Sequence, residues 1–125
     1  MKNRIFATAL VFVIALLTSV SVMANKTSVT IEAPKEAKIG SEITITINVK
    51  HIGNSAAHFT DWVQLKINGE VVKKWIYTKK SLPTAQNFTL SFTFVVTGDL
   101  KIEAEGHCNL HGSEGIAAAS VTALK

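Results

Sequence analysis

Cysteine is nearly absent from this chain. Among 125 residues there is one, Cys108, which excludes the intrachain disulfide framework that staples many small exported domains. With only two prolines, the chain has no proline-rich linker, and it carries no internal repeat or low-complexity tract. No apolar run reaches the roughly 20 residues a membrane-crossing helix needs; the stretch from Ile5 to Leu17 is shorter and broken by Thr8. The formal charge is +4, yet no basic stripe is interleaved with aromatics, so nucleic-acid binding gains no support.

What is present begins with a targeting pattern. Lys2 and Arg4 precede the apolar run, and Val22-Met23-Ala24 ends it on a small residue. Charge, a short apolar stretch and a small-residue exit form a secretory signal. The expectation is a cleavable signal peptide over residues 1–24 and one mature domain over 25–125, periplasmic or otherwise exported, with no membrane span after cleavage. Without Lys2 and Arg4 the balance is 11 basic to 9 acidic residues. About 100 residues suffice for one core.

Hydrophobic alternation then runs at period two. Ile43, Ile45, Ile47 and Val49 alternate with Thr44, Thr46 and Asn48; Phe88, Leu90, Phe92, Phe94 and Val96 alternate with Thr89, Ser91 and Thr93. Such segments are half-buried antiparallel strands. Residues 62–67 and 71–78 read as a hairpin through Asn68-Gly69, whose two positions take positive φ in a type I′ turn. Segments 27–32, 100–106 and 116–124 complete the set. Seven strands without a helix outside the signal indicate an all-β, immunoglobulin-like antiparallel β-sandwich.

The chemistry lies at strand ends. A lone thiol in an oxidising compartment is at risk unless it is buried, paired between chains or bound to metal. All four histidines, His51, His58, His107 and His111, fall at strand ends or in loops, and loops at one end of a sandwich converge. Strand parity turns His51 and Cys108 inward and His107 toward solvent. Cys108-Asn109-Leu110-His111 spaces a thiolate and an imidazole across one tight turn. Sulfur with several imidazoles selects a transition metal over calcium or magnesium, which prefer oxygen. By the same reading Trp62 and Trp75 are core or site-wall aromatics, and Lys73, Lys74, Lys79 and Lys80 are solvated charges.

The stretch His51-Ile52-Gly53-Asn54-Ser55-Ala56-Ala57-His58-Phe59-Thr60-Asp61-Trp62-Val63, with Cys108-Asn109-Leu110-His111-Gly112, resembles the iron-binding domain of desulfoferrodoxin and superoxide reductase. The likeness is to neelaredoxin-like members, which lack the four-cysteine rubredoxin-like centre. That resemblance implies a seven-stranded immunoglobulin-like sandwich and a mononuclear ferrous centre with four imidazoles and one axial thiolate. By position, His51, His58 and His111 would be equatorial and Cys108 axial. Superoxide would be the substrate, reduced by one electron to hydrogen peroxide, and a separate donor protein would restore the electron. The chain departs from the pattern in having no histidine before His51, which leaves His107 as the remaining candidate for a fourth nitrogen. The loop from His51 to His58 is one residue longer than usual and lacks proline after the first histidine, and the family's early Glu and Lys have no counterpart.

Two other readings use the same residues. A cupredoxin-like copper electron-transfer protein also pairs a distant His with a late Cys-x-x-His, although Ile116 stands where its axial Met would fall. The third is an exported sandwich that binds metal or a partner without catalysis.

Overall fold

The computed structural model describes residues 26–125; the signal-peptide reading of residues 1–24 lies outside the described residues. Eight strands follow in order: β1 (Ser28–Glu32), β2 (Glu36–Lys38), β3 (Glu42–Lys50), β4 (Thr60–Ile67), β5 (Glu70–Ile76), β6 (Asn87–Val95), β7 (Leu100–Cys108) and β8 (Ile116–Leu124). They form a three-stranded sheet, β1-β3-β6, facing a five-stranded sheet, β2-β8-β7-β4-β5. The sandwich is all-β, as the alternation requires.

One strand more than expected is present. β2 has only three residues, Glu-Ala-Lys, with no run of β-formers to announce it. It exists because the chain lies parallel to the end of β8, pairing Glu36 with Thr122 and Lys38 with Leu124. At the other end of the sandwich, β4 and β7 each reach two residues beyond the expected bounds because Thr60 pairs with Cys108. β5 stops two residues early. There the Tyr77 N–H turns to donate to Asp61 O at 2.9 Å, and Thr78 and Ser81 close a tight turn. The Asn68-Gly69 turn has φ of 51° and 83°, as type I′ geometry demands.

The core sits between the inner faces. Ile43, Ile45, Ile47 and Val49 of β3 pack with Val63, Leu65 and Ile67 of β4 and with Leu100, Ile102 and Ala104 of β7. Ile45, Ile47, Leu65 and Ile102 are wholly buried, so truncating any one to Ala costs about 2–5 kcal/mol. The two sheets approach closely at Gly106, where a Cβ would lie 2.6 Å from Thr27 Cγ2 and 3.0 Å from Val29 Cγ1. Glycine here leaves room for the side chains of Thr27 and Val29 to pack onto the β7 backbone. Just beyond it, β7 ends at Cys108, and the loops 51–59, 77–86 and 109–115 gather at that end of the sandwich.

Candidate metal centre

Two loops carry the donors. His51 leaves β3 with the inward parity of Val49 and is 2 % exposed, while Cys108 ends β7 on the parity of Ala104 and is fully buried. The Cys108 loop closes on itself: Cys108 N–H donates to Gly112 O and Gly112 N–H to Cys108 O, both at 2.9 Å. Gly112 takes φ 78°, a left-handed conformation that glycine reaches without strain. This closure brings His111 Nδ1 to 3.9 Å from Cys108 Sγ. The other loop folds back through Ser55 N–H to His58 O at 2.7 Å and His58 N–H to Ser55 O at 3.1 Å. Gly53 permits the return, since a Cβ there would stand 2.7 Å from His58 Nδ1.

The four side chains meet. His51 Nε2 is 3.2 Å from His58 Nε2, which is 3.1 Å from His111 Nδ1. The donor atoms of His51, His58 and Cys108 all lie within 4.8 Å of one another. The rings stand edge-on, at 73° for His51 with His58 and 90° for His58 with His111. Two nitrogens each about 2.1 Å from one ion, at right or tetrahedral angles, stand roughly 3.0–3.4 Å apart, so these imidazoles already have ligand spacing. A single proton on His58 Nε2 cannot serve two neighbouring nitrogens, whereas one cation can. The donor set therefore fits a transition metal, with soft sulfur and borderline imidazole.

Asn54 fixes which way His51 is wired. The Thr60 N–H, which can only donate, points at Asn54 Oδ1 from 2.9 Å, so that atom is the carbonyl oxygen. His51 Nδ1 lies 2.7 Å from the same oxygen and must carry the proton. Its Nε2 therefore presents a lone pair to the cluster, the second-layer arrangement that orients metal-bound histidines. Asn54 is held in turn by donating from Nδ2 to Ala85 O at 2.8 Å and sits at φ 48°, which Asn tolerates. Asn109 joins the two loops. Its Oδ1 accepts from Phe59 N–H at 2.9 Å, and its own N–H donates to Phe59 O at 3.0 Å.

His107 lies elsewhere. A bulge between Thr60 and Trp62 makes Asp61 an extra residue in β4, which re-aims side chains as bulges do. The Asp61 carboxylate accepts from His107 Nδ1 at 2.6 Å. The His107 ring stacks on Trp62, 5.0 Å between centroids and 5° from parallel, on the outer face of the five-stranded sheet. Lys74 Nζ lies 4.8 Å from the Trp62 ring centroid. Trp75 packs on the core, with Lys73 Nζ at 5.9 Å. The sequence places Asn54 and Asp61 inside the motif stretch 51–63 but assigns neither a role. Asn54 had a readable signal, an Asn three residues after a candidate ligand beside a glycine; the bulge that recruits Asp61 had none.

The family model for desulfoferrodoxin matches residues 19–113. The chain belongs to the desulfoferrodoxin family. Among solved structures, it is similar to a superoxide reductase (neelaredoxin) from Ignicoccus hospitalis, with 22% identity over 79% of this chain and 83% of that one and a TM-score of 0.62. It is also similar to a putative superoxide reductase from Thermotoga maritima, with 18% identity, 78% and 86% coverage and a TM-score of 0.58. A CARDB domain from Pyrococcus furiosus, solved in complex with di-metal ions, gives 21% identity, 80% and 94% coverage and a TM-score of 0.62. At such identities these neighbours speak for the fold. Comparison with curated proteins returned no match. Within the desulfoferrodoxin family, a His/Cys group able to hold a metal is thus placed at one end of the sandwich, and no helix among the described residues is long and apolar enough to cross a membrane.

Proposed function

We propose that the protein is an exported, mononuclear iron protein that reduces superoxide by one electron to hydrogen peroxide, with His51, His58, His111 and Cys108 as ligands. The observation that carries this reading is the convergence of three imidazole nitrogens on a buried sulfur, with the lone pair of His51 aimed inward by Asn54. Family membership and superoxide-reductase neighbours support the choice of iron and substrate. Held there by His51, His58, His111 and Cys108, iron would supply one electron, superoxide would take it up with two protons from solvent, and a separate donor protein would return it. The residues of the chain do the rest. Cys108 ligates as a thiolate, since metal binding requires deprotonated sulfur, and its burial shields that sulfur from oxidants. His58 is half-buried and His111 exposed, so solvent and a small anion reach the centre from their side. The closed turns around Cys108 and His58 hold the donors without relying on long flexible segments.

A copper reading rests on a specific observation as well. One trio, His51, His58 and Cys108, with donor atoms within 4.8 Å of one another, is two imidazoles and one thiolate, the donor set of blue-copper sites. Metal analysis of the purified protein with its visible spectrum separates the two. The iron reading expects a ferric thiolate band that Cys108→Ser abolishes and that His107→Ala preserves; intense blue cupric absorption would overturn it. Stopped-flow mixing of the ferrous form with superoxide should give oxidation at a rate proportional to superoxide. A flat trace from an iron-loaded protein would reject the reaction while leaving the metal site standing.

A further inference from the structure

Positive charge gathers at one corner of the sandwich. From Val71 to Gly98 the chain has no acidic residue, while Lys73, Lys74, Lys79 and Lys80 fall close together and are all exposed. Lys73 and Lys74 lie on β5, an edge of the five-stranded sheet, and Lys79 and Lys80 ride the turn closed by Thr78 and Ser81. Among them stands Ile76, 68 % exposed, the most exposed large apolar side chain among the described residues. A single apolar side chain on a surface needs no explanation. One ringed by charges of a single sign has the make-up of an interface, an apolar centre within a polar rim.

The strand register ties this corner to the metal centre. Trp62 is the cross-strand partner of Ile76 on one side and of His107 on the other, and directly opposed residues share a face. Ile76, Trp62 and His107 thus form one row across the outer face of the sheet. The His107 ring stacks on Trp62, and Lys74 Nζ lies 4.8 Å from the Trp62 ring centroid. At the end of the row, His107 is joined by one peptide bond to Cys108. The acidic groups of this face are occupied or set apart. Asp61 is taken up by His107 at 2.6 Å, Glu103 and Glu105 are half-buried on β7, and Glu70 lies at the far end of β5. His58 and His111 belong to turns outside the row, so the row offers a second approach to the centre.

We propose that this corner is the docking surface for an acidic one-electron carrier protein, which seats on Ile76 and Trp62 within the four lysines and passes its electron toward Cys108 through His107. The inference rests on the iron-protein reading above and names the face its donor uses. The step moves one electron: the reduced carrier loses it and the oxidised centre gains it, with no bond made or broken. Charge complementarity selects the partner. Opposite charge raises encounter rates about 10–1,000-fold at low ionic strength. Electron-transfer encounters are also small, below about 1,200 Å² in total, so a corner of a few residues suffices. The apolar centre, and a row that ends beside a metal ligand, favour a redox protein over a simple polyanion.

Plant-type ferredoxin, an acidic one-electron carrier, serves as the probe. Calorimetric titration with oxidised ferredoxin reads docking without turnover. Binding is expected at low salt and should vanish at about 0.5 M, where charges are screened within a few ångströms. The double variant Lys79→Glu, Lys80→Glu should weaken it about 10-fold or more. Lys35→Glu with Lys38→Glu makes the same change of charge at the opposite edge of the sheet and should leave it nearly unchanged. Stopped-flow reduction of the ferric protein by reduced ferredoxin should slow in step, whereas reduction by an uncharged quinol should not. Absent binding, or equal weakening by the two double variants, overturns the proposal. Should the Lys79, Lys80 variant fail to fold, Ile76→Asp, at an exposed position, decides: undiminished binding also overturns it. A protein that docks ferredoxin through these lysines yet leaves superoxide unreduced would sink the reaction proposed above and keep the docking face. One that superoxide oxidises, but whose ferredoxin binding ignores the lysines, does the reverse.

Discussion

Replacing Asn54 tests whether the site is built by its second layer. In the wild type the side chain makes three hydrogen bonds: from His51 Nδ1 at 2.7 Å, from the Thr60 N–H at 2.9 Å and to Ala85 O at 2.8 Å. Asn54→Ala removes all three. Thr60 is fully buried, so its N–H is left without a partner at about 1–3 kcal/mol, and Ala at φ 48° adds about 1–2 kcal/mol of left-handed strain. The expected loss of stability is therefore about 2–5 kcal/mol, read by chemical denaturation. His51 loses the acceptor that fixes its tautomer, and metal affinity should fall about 10–100-fold, read by competition with a chelator. Asn54→Gly keeps the backbone conformation and removes the side chain, so it should recover the strain but not the affinity. Asn54→Asp retains an acceptor for His51 and Thr60 and loses only the bond to Ala85, so it should keep most of the affinity. If Asn54→Ala and Asn54→Gly bind metal as tightly as the wild type, the tautomer argument fails.

Three further outcomes follow from close approaches and burial. Gly53→Ala sets a Cβ 2.7 Å from His58 Nδ1; metal affinity should drop at least 10-fold with little change in the core, and a wild-type titration would show that the loop yields freely. Gly106→Ala meets Thr27 Cγ2 at 2.6 Å in the packed interior and should cost about 1–3 kcal/mol by overpacking; an unchanged denaturation midpoint would contradict the close approach of the sheets. Tyr77, the only tyrosine of the chain, has its pKa raised above 10.0 by burial. Because the folded pKa lies above the unfolded one, its contribution to stability is complete below pH 10.0 and is lost as pH rises through the folded value. Spectrophotometric titration should place the phenolate midpoint above 10.0, and Tyr77→Phe should flatten the alkaline decline in stability; a midpoint at or below the free value would refute the burial.

Most of the fold was readable because the alternation is regular where the sandwich is regular. β3 and β6 keep strict period two over nine residues each, and the Asn68-Gly69 turn fixes its own conformation. β2 escaped notice because its pairing comes from where β8 passes, not from its own three residues. At the candidate centre, parity alone sent His51 and Cys108 inward, and both are buried. It also sent His107 outward, where Asp61 and Trp62 hold it. Parity had no purchase on His58 or His111, which sit in turns; the motif spacing marked them. What no pattern disclosed was the hydrogen bonding between loops. Asn54 and Asn109 tie residues 31 and 50 positions away, and such ties depend on a fold already in place.

The burial of the four donors runs in one direction, and that direction bears on how the centre can work. Cys108 and His51 are enclosed, His58 is half-buried and His111 is exposed. The enclosed pair is held by strand backbone and by Asn54, so its geometry is set by the core before any ion arrives. The outer pair rests on turns, one closed by Ser55 and the other by Gly112. A metal would therefore meet a rigid inner half and complete an outer half that has more freedom to adjust. On that account, truncating the outer ligand His111 to Ala should weaken metal retention less than truncating His51, although each removes one imidazole. A chelator titration comparing the two variants decides it: equal losses, or a greater loss at His111, would mean that ligand number and not enclosure governs affinity.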